Sequence, residues 1–251
     1  MIRNTLKKKD RERVGNHFKF RGTDNTRIEA LSDGVFAIAM ALLIISSSIP
    51  ETFAELKLFL QDLIPFAICM IMLIMIWYQH YTFFIRYGLK DVKIVTINTL
   101  LLFLILFYIY PLKFLMQLLF ELFVGLITQD YELLRELFTN VIQTSDTPTL
   151  MVIYGIGAAS IFFTLAWMYY IAYQRKEELE LSPMETFLTK SSMIANLLMG
   201  SIPLVSCAVA LIIPNPAMAF SCAGYVYGLY PIVMILFARK FNVLVSEKQT
   251  E

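Results

Sequence analysis

Residues 31–50 read LSDGVFAIAMALLIISSSIP, and this stretch decides the class of fold. It carries no charge between Asp33 and its end at Pro50. A membrane-spanning helix needs about 20 predominantly apolar residues, so the stretch predicts a span that begins beside a carboxylate. Nine Lys or Arg residues lie within the 27 residues at the start of the chain. The apolar run behind them is too long for a cleaved signal peptide and lacks a small-residue cleavage site, so we interpret it as a retained first membrane helix.

The whole chain is apolar in the same way. Of its 251 residues 58% are hydrophobic and 16% are charged, and the mean hydropathy is +0.64. This composition is too apolar for a soluble domain of this size, and continuous apolar runs are not the alternating strands of a membrane barrel. We therefore predict an all-α integral membrane protein with a basic tail over 1–26, a transmembrane domain over 27–239 and a short tail over 240–251. Six spans are predicted, at about 28–49, 62–85, 94–124, 149–173, 191–213 and 217–238.

Positive charge is distributed unequally between the two sides of these spans. Eighteen of the 21 Lys and Arg residues fall in the two tails and in the second and fourth loops, whereas the first, third and fifth loops hold only Lys57 and Arg135. Positive charge accumulates on the cytoplasmic side of membranes, so both termini are predicted to be cytoplasmic. Short basic tails beside a first span usually serve this topology, and we expect the tail to meet membrane lipid rather than nucleic acid.

Motifs of enzymes and of metal sites are scarce in the sequence. It has no HExxH, no paired-cysteine motif, no GxSxG and no Gly-rich phosphate loop. The three cysteines, Cys69, Cys207 and Cys222, fall inside predicted spans without metal-ligand spacing. The GYVYG run at 224–228 resembles a potassium-filter loop only superficially, because it lies inside an apolar run, and it predicts close helix packing at glycine instead. We expect neither catalysis, nor a metal site, nor a cofactor.

One short element is predicted outside the spans. In the third loop Leu133, Leu134, Leu137, Phe138 and Val141 recur at helical spacing. This pattern predicts a short helix at the membrane interface.

The first predicted span has an apolar stripe and a separate polar position. At about 100° per residue, the residues near one line of the helix are Leu31, Gly34, Ile38, Leu42, Ile45 and Ile49. Asp33 lies about 140° from that line. Polar groups in membrane helices usually mark function or an internal partner. The polar residues at the cytoplasmic helix ends are Arg27, Ser32, Asp33, Trp77, His80 and Asn98, and their donors and acceptors predict one mutually satisfied group that includes an Arg27–Asp33 pair.

These residues resemble a known family. Arg27, the run Ser32–Ala39 and the pair Leu42–Leu43 match the pattern R-x-x-x-F-S-D-G-V-F-A-I-A-x-T-L-L of the transmembrane protein 175 family, the lysosomal and bacterial potassium channels. Trp77 and His80 match its W-x-x-H, and Asn98 opens its third span. The resemblance covers residues 27–115 by motif. It implies a tetramer of six-span subunits in the cell membrane, with the first helix of each subunit lining the pore.

The resemblance also assigns roles to residues of the stripe. It implies a potassium-permeable cation channel that conducts passively through a constriction made by Ile38, Leu42 and Ile45, with monovalent cations as permeant ligands. The family's mid-helix Thr is Ala41 here, which removes a hydroxyl next to the pore. Lys113 departs from the family's pattern at the end of the third span, and it is expected to snorkel to the outer interface. The alternatives are a secondary cation or proton-coupled transporter and a non-conducting membrane scaffold.

Overall fold

The computed structural model describes residues 18–22, 26–45 and 50–250, so most of the predicted basic tail and residues 46–49 lie outside it. Within the described residues the fold is helical throughout. Its helices are α1 (Arg27–Ile45), α2 (Phe53–Gln61), α3 (Leu63–Tyr87), α4 (Val92–Thr128), α5 (Tyr131–Glu136), α6 (Thr147–Gln174), α7 (Pro183–Ile212), α8 (Pro216–Val226) and α9 (Leu229–Thr250).

Five helical stretches among the described residues are long and apolar enough to cross a membrane. They are Phe53–Tyr87, Val92–Thr128, Thr144–Gln174, Pro183–Ile212 and Pro216–Asn242. They correspond in order to the predicted spans from the second to the sixth, and only the fifth predicted span, 191–213, runs one residue past the end of its helix. The first predicted span corresponds to α1, a helix of 19 residues that is not among the five and that ends at the last described residue before 46–49.

Local sequence signals explain where the helices on one side of the bundle end and begin. Gly88 closes α3 with a left-handed backbone, at φ 61°, and donates its N–H to the carbonyl of Phe84. Asp91 caps the start of α4 by accepting from the backbone N–H of Lys93. Ser182 and Glu185 form a reciprocal capping box at the start of α7, with Pro in the first turn. Between the first two caps the connection from α3 to α4 is only residues 88–91.

The third loop contains the short helix that the sequence predicts. α5 continues into a π-helical turn, Leu137–Val141. The π-helical turn packs against the bundle, because Leu137 is buried at 1% exposure against Leu118 of α4 and Ile142. The expected helix is confirmed, and tertiary packing against α4 is what fixes its position.

Two packing units make the core. α1 packs on both α3 and α4, whereas α6 and α7 form the most extensive helix pair. Close approach in that pair depends on Gly155, where a Cβ would overlap Cys207 Sγ and would lie 2.8 Å from the backbone oxygen of Pro203. The main core joins α1, α3, α4 and α6 through residues such as Phe83, Leu101 and Leu165, all at 0% exposure.

The sixth predicted span is divided into two helices. α8 ends at Val226 and α9 begins at Leu229, so the break falls in the GYVYG run. The expectation of close helix packing there is wrong for Gly224, because a Cβ at this position would meet no described atom within 4 Å.

Candidate functional site: the first helix and its polar anchor

α1 has one covered face and one uncovered face within the subunit. Its covered positions are Ser32, Phe36, Ala39 and Leu43, which follow the i, i+4, i+7 spacing of one helix side and are at most 2% exposed. The opposite side carries Gly34, Ala37, Ile38 and Ala41, all exposed. Among the described residues, this apolar helix is therefore attached to the subunit by one side.

The three residues expected at the constriction differ in their surroundings. Ile38 is 55% exposed and belongs to the uncovered face. Leu42 is half-buried and packs against the main core, which follows from its position about 40° around the helix from Ile38. Ile45 is the last residue of α1, and its side chain lies outside the described part of the chain. Ala41, in the place of the family's Thr, is exposed beside Ile38.

A buried hydrogen-bonded chain joins α1 to α3 and α4. His80 Nε2 lies 2.7 Å from Asn98 Oδ1, and Asn98 Nδ2 donates to Ser32 Oγ at 2.9 Å. Ser32 in turn donates to the carbonyl of Ile28 at 2.8 Å. All three side chains are at most 2% exposed. Because Asn98 presents its oxygen to the ring, His80 must carry a proton on Nε2, so every link of the chain has one donor and one acceptor.

Asp33 has a different partner from the expected one. The indole N–H of Trp77 donates to Asp33 Oδ1 at 2.8 Å, and the Trp77 ring stacks on Tyr81 with centroids 5.7 Å apart. Arg27 is exposed, and within the described residues it makes no ion pair with Asp33. The structure thus brings five of the six polar residues together, in two adjacent groups, and leaves Arg27 apart.

Lys113 lies inside the subunit at the far end of α1. It is 8% exposed, and its ammonium donates to the carbonyl of Leu43 at 3.0 Å. The expectation that Lys113 snorkels outward is wrong. Its side chain follows Ile109 and Leu112 on the buried side of α4, so the lysine binds the last turns of α1 instead of reaching the outer interface. α1 is therefore held at both ends by polar contacts to α4.

An ion pair outside the spans joins the loop after α3 to the end of α6. Arg175 donates to both oxygens of Asp91, at 2.7 and 2.9 Å. Hydrogen bonding to this guanidinium holds the pKa of the Asp91 carboxyl below its ordinary value and raises the pKa of Arg175. The pair is partly exposed, so its role is to fix the loop rather than to do chemistry.

One group of polar residues near the N-terminal end of α1 is not predicted by any motif in the sequence. Arg21 forms an ion pair with Glu185, 164 positions away in the chain, at 2.9 Å. The S-P-M-E sequence at 182–185 is the signature of a capping box. It identifies Glu185 as a helix-start residue, but nothing in the sequence indicates that the same carboxylate binds Arg21.

These features define a multi-pass helical membrane protein whose first helix is anchored on one side and, among the described residues, uncovered on the other. The family model of the endosomal/lysosomal potassium channel TMEM175 matches residues 27–108. A potassium channel of Marivirga tractuosa is 47% identical over 227 residues, which cover 89% of this chain and 90% of that protein. The chain belongs to the TMEM175 family.

Solved structures agree with this assignment. The crystal structure of a variant of the potassium channel MtTMEM175, bound to a nanobody–MBP fusion protein, has a TM-score of 0.80 and 47% sequence identity and covers 90% of this chain and 97% of that one. A lysosomal potassium-selective channel TMEM175 homologue from Chamaesiphon minutus has a TM-score of 0.52 at 20% identity, over 85% of this chain and 96% of that one. The second likeness supports the fold alone.

Proposed function

We propose that four copies of this potassium channel surround a pore in the cell membrane, with α1 of each subunit facing the axis and both termini in the cytoplasm. The observation that carries the proposal is the uncovered side of α1, which is apolar and continuous through Gly34, Ile38 and Ala41. The opposite side is fixed to α3 and α4. A helix supported in this way is suited to line a pathway shared between subunits.

Ile38 is the residue at which we place the narrowest point. Its side chain is 55% exposed on the uncovered face of α1. Ile45 follows two helical turns later on the same side of the helix. Leu42 packs against the main core, so it supports the proposed constriction from the side of its own subunit. A neck of branched aliphatic side chains gates by dewetting, so conduction requires the α1 helices to rotate or splay.

Potassium ions are the permeant ligands in this proposal, and the channel uses no cofactor. A neck without acidic side chains discriminates between ions only through the cost of removing their water at a narrow aperture. The absent hydroxyl at Ala41 removes one group that would replace that water. We therefore propose modest selectivity for potassium over sodium.

Ile38→Asn tests the proposed pore. Potassium-driven flux is measured in liposomes containing purified protein, with sodium as the competing ion. An amide at the neck eases hydration, so flux through the Ile38→Asn variant increases. The matched control is Ile153→Asn on α6, because Ile153 has the same exposure of 55% and lies away from α1. Unchanged flux in the Ile38 variant, or an equal increase in both variants, refutes the pore assignment.

The same assay separates the channel from two other classes. A secondary transporter needs ionisable groups near the membrane midplane on interrupted helices, and its flux saturates with ion concentration and depends on a second ion. A non-conducting scaffold gives no cation flux at any voltage. Passive flux that follows the potassium gradient and is independent of a second ion is the result expected of this chain.

A further inference from the structure

Residues 18–22, which we call the N-terminal latch, complete the end of α3. The backbone N–H groups of Arg21 and Gly22 donate to the carbonyls of Arg86 and Ile85, at 3.3 and 3.1 Å. These carbonyls belong to the last turn of α3, where a helix leaves carbonyl groups without partners of its own. The chain ahead of α1 thus supplies a cap that α3 cannot make from its own sequence.

An aromatic side chain fixes the latch against the bundle. Phe18 is only 4% exposed, and its ring meets Tyr87 edge-on with centroids 5.6 Å apart. The guanidinium of Arg86 lies 5.1 Å from the same ring. The Tyr87 hydroxyl continues the contact by donating to Thr189 of α7 at 2.8 Å. The latch therefore lies over the junction between α3 and α7.

Arg21 uses every donor it has. Its Nε donates to the carbonyl of Leu179, and its two terminal nitrogens donate to the carbonyls of Lys19 and Glu180 and to both oxygens of Glu185. A guanidinium has five N–H donors in fixed directions, and five acceptors are present.

Glu185 is saturated in the same way. It also accepts from the backbone N–H groups of Lys19 and Ser182, at 2.7 and 2.8 Å, and its side chain is 4% exposed. A fully satisfied network of this kind specifies one position of the latch.

The space around the latch permits only glycine at two points. A Cβ on Gly22 would overlap the carbonyl oxygen of Phe84, and a Cβ on Gly88 would come within 2.9 Å of the carbonyl oxygen of Arg21. Gly88 also has the left-handed φ of 61°. Backbone packed this closely on both sides leaves no room for the latch to slide along α3.

Only four residues separate the latch from α1. α1 begins at Arg27, where Thr26 accepts from the backbone N–H of Glu29 at 3.2 Å and so caps the helix start. We infer that the latch positions the N-terminal end of α1 and restrains the splaying of this helix that opens the pore, with Arg21 and Glu185 as the positioning pair. The inference rests on the proposed function, because it assigns to the latch a control over the helix that lines the pore.

Two pairs of variants test this restraint. Arg21→Gln removes the five-donor contact, and its control Lys19→Gln removes the same charge from a side chain that is exposed, while the network uses only the backbone of Lys19. Gly22→Ala pushes the latch away from α3, and its control Gly224→Ala adds a methyl group that lies more than 4 Å from every described residue beyond its own helical turn. Both test variants keep the side chains of α1 unchanged.

Single-channel recording of the full-length protein in planar bilayers with potassium gives the first measurement. We expect Arg21→Gln and Gly22→Ala to raise the open probability at least about fivefold, the lower end of typical coupling between sites, with an unchanged unitary current. Lys19→Gln and Gly224→Ala leave both quantities as in the wild type. Equal effects in the two charge variants would show a general electrostatic effect and would overturn the inference.

Limited trypsin digestion supplies a second measurement that does not depend on conduction. The latch protects the Arg21–Gly22 bond in the wild type, and Gly22→Ala makes it cleave faster. If cleavage accelerates while the open probability stays the same or falls, the latch is a structural cap only and the inference is overturned. If the wild type protects the bond but conducts no potassium, the proposed function fails, and the inference fails with it.

Discussion

Asn98→Leu is the most informative single change in the polar anchor of α1. Asn98 is 2% exposed, accepts from His80 and donates to Ser32. Leucine has a similar volume, so the variant deletes both hydrogen bonds with little change in packing. It leaves the His80 ring N–H buried without an acceptor, whereas Ser32 keeps its bond to the carbonyl of Ile28.

The size of the effect follows from these contacts. An orphaned buried donor costs about 1–3 kcal/mol and a lost neutral hydrogen bond about 1 kcal/mol, so the variant loses about 2–4 kcal/mol of unfolding free energy. For a chain of this length each kcal/mol lowers the melting temperature by about 2–4 °C. We therefore expect a decrease of about 5–15 °C, measured by the loss of the monodisperse size-exclusion peak after heating in detergent.

Asn196→Leu is the matched control for this prediction. Asn196 is 3% exposed on α7; its Nδ2 donates to the carbonyl of Ser192 one turn earlier, and its Oδ1 has no hydrogen-bond partner among the described residues. Leucine removes the buried oxygen that has no partner together with a local bond to a helix carbonyl, so we expect this replacement to be close to neutral. An equal decrease in the two variants would mean that any buried Asn→Leu change is damaging. A melting temperature of Asn98→Leu within about 1 °C of the wild type would refute the stabilising role of the anchor.

Three further predictions concern other parts of the molecule. Lys113→Met keeps the packing of the side-chain stem but removes the ammonium beside the end of α1. We expect it to raise potassium influx, because a fixed positive charge there repels entering cations. Influx equal to that of the wild type would show that the charge is neutralised inside the subunit. Because the pKa of Asp91 is lowered in the folded state, its pair with Arg175 stabilises the fold at neutral pH. The stabilisation is below about 1 kcal/mol for a partly exposed pair. It is lost as the pH falls below about 4, where the carboxyl becomes protonated. Acid unfolding curves of the wild type and Asp91→Asn should therefore converge at low pH, and parallel curves would contradict the assignment. Gly155→Ala lowers the free energy of unfolding by about 1–3 kcal/mol through overpacking, whereas Gly224→Ala leaves it unchanged; thermal unfolding of the two variants checks this.

The parts of the fold that follow from sequence are those set by local composition. Spans two to six are long apolar runs, and hydrophobic length alone identifies them. The short helix of the third loop was predictable from the spacing of its leucines. In α1, periodicity separates Ile38 from Asp33, and the structure places Ile38 on the uncovered face.

The parts that did not follow depend on contacts between distant segments. The lysine in α4 was expected to snorkel because a charge in an apolar helix is costly. Its position four residues after the buried Ile109 already indicated the inward direction. No local signal pairs Asp33 with Trp77 rather than with Arg27, since this choice depends on how α1 and α3 pack. The contact of Arg21 with Glu185 joins residues 164 positions apart, beyond the reach of any periodicity.

The cap on α3 sets a practical boundary for protein engineering. A chain shortened to begin at residue 18 keeps both backbone donors at the end of α3, whereas one that begins at residue 23 loses them together with the Phe18 ring. An affinity tag or fluorescent fusion therefore belongs ahead of Phe18, joined through a flexible linker. Removal of the latch would yield a preparation whose first helix keeps its contacts with α3 and α4 but has lost the anchored segment that precedes it.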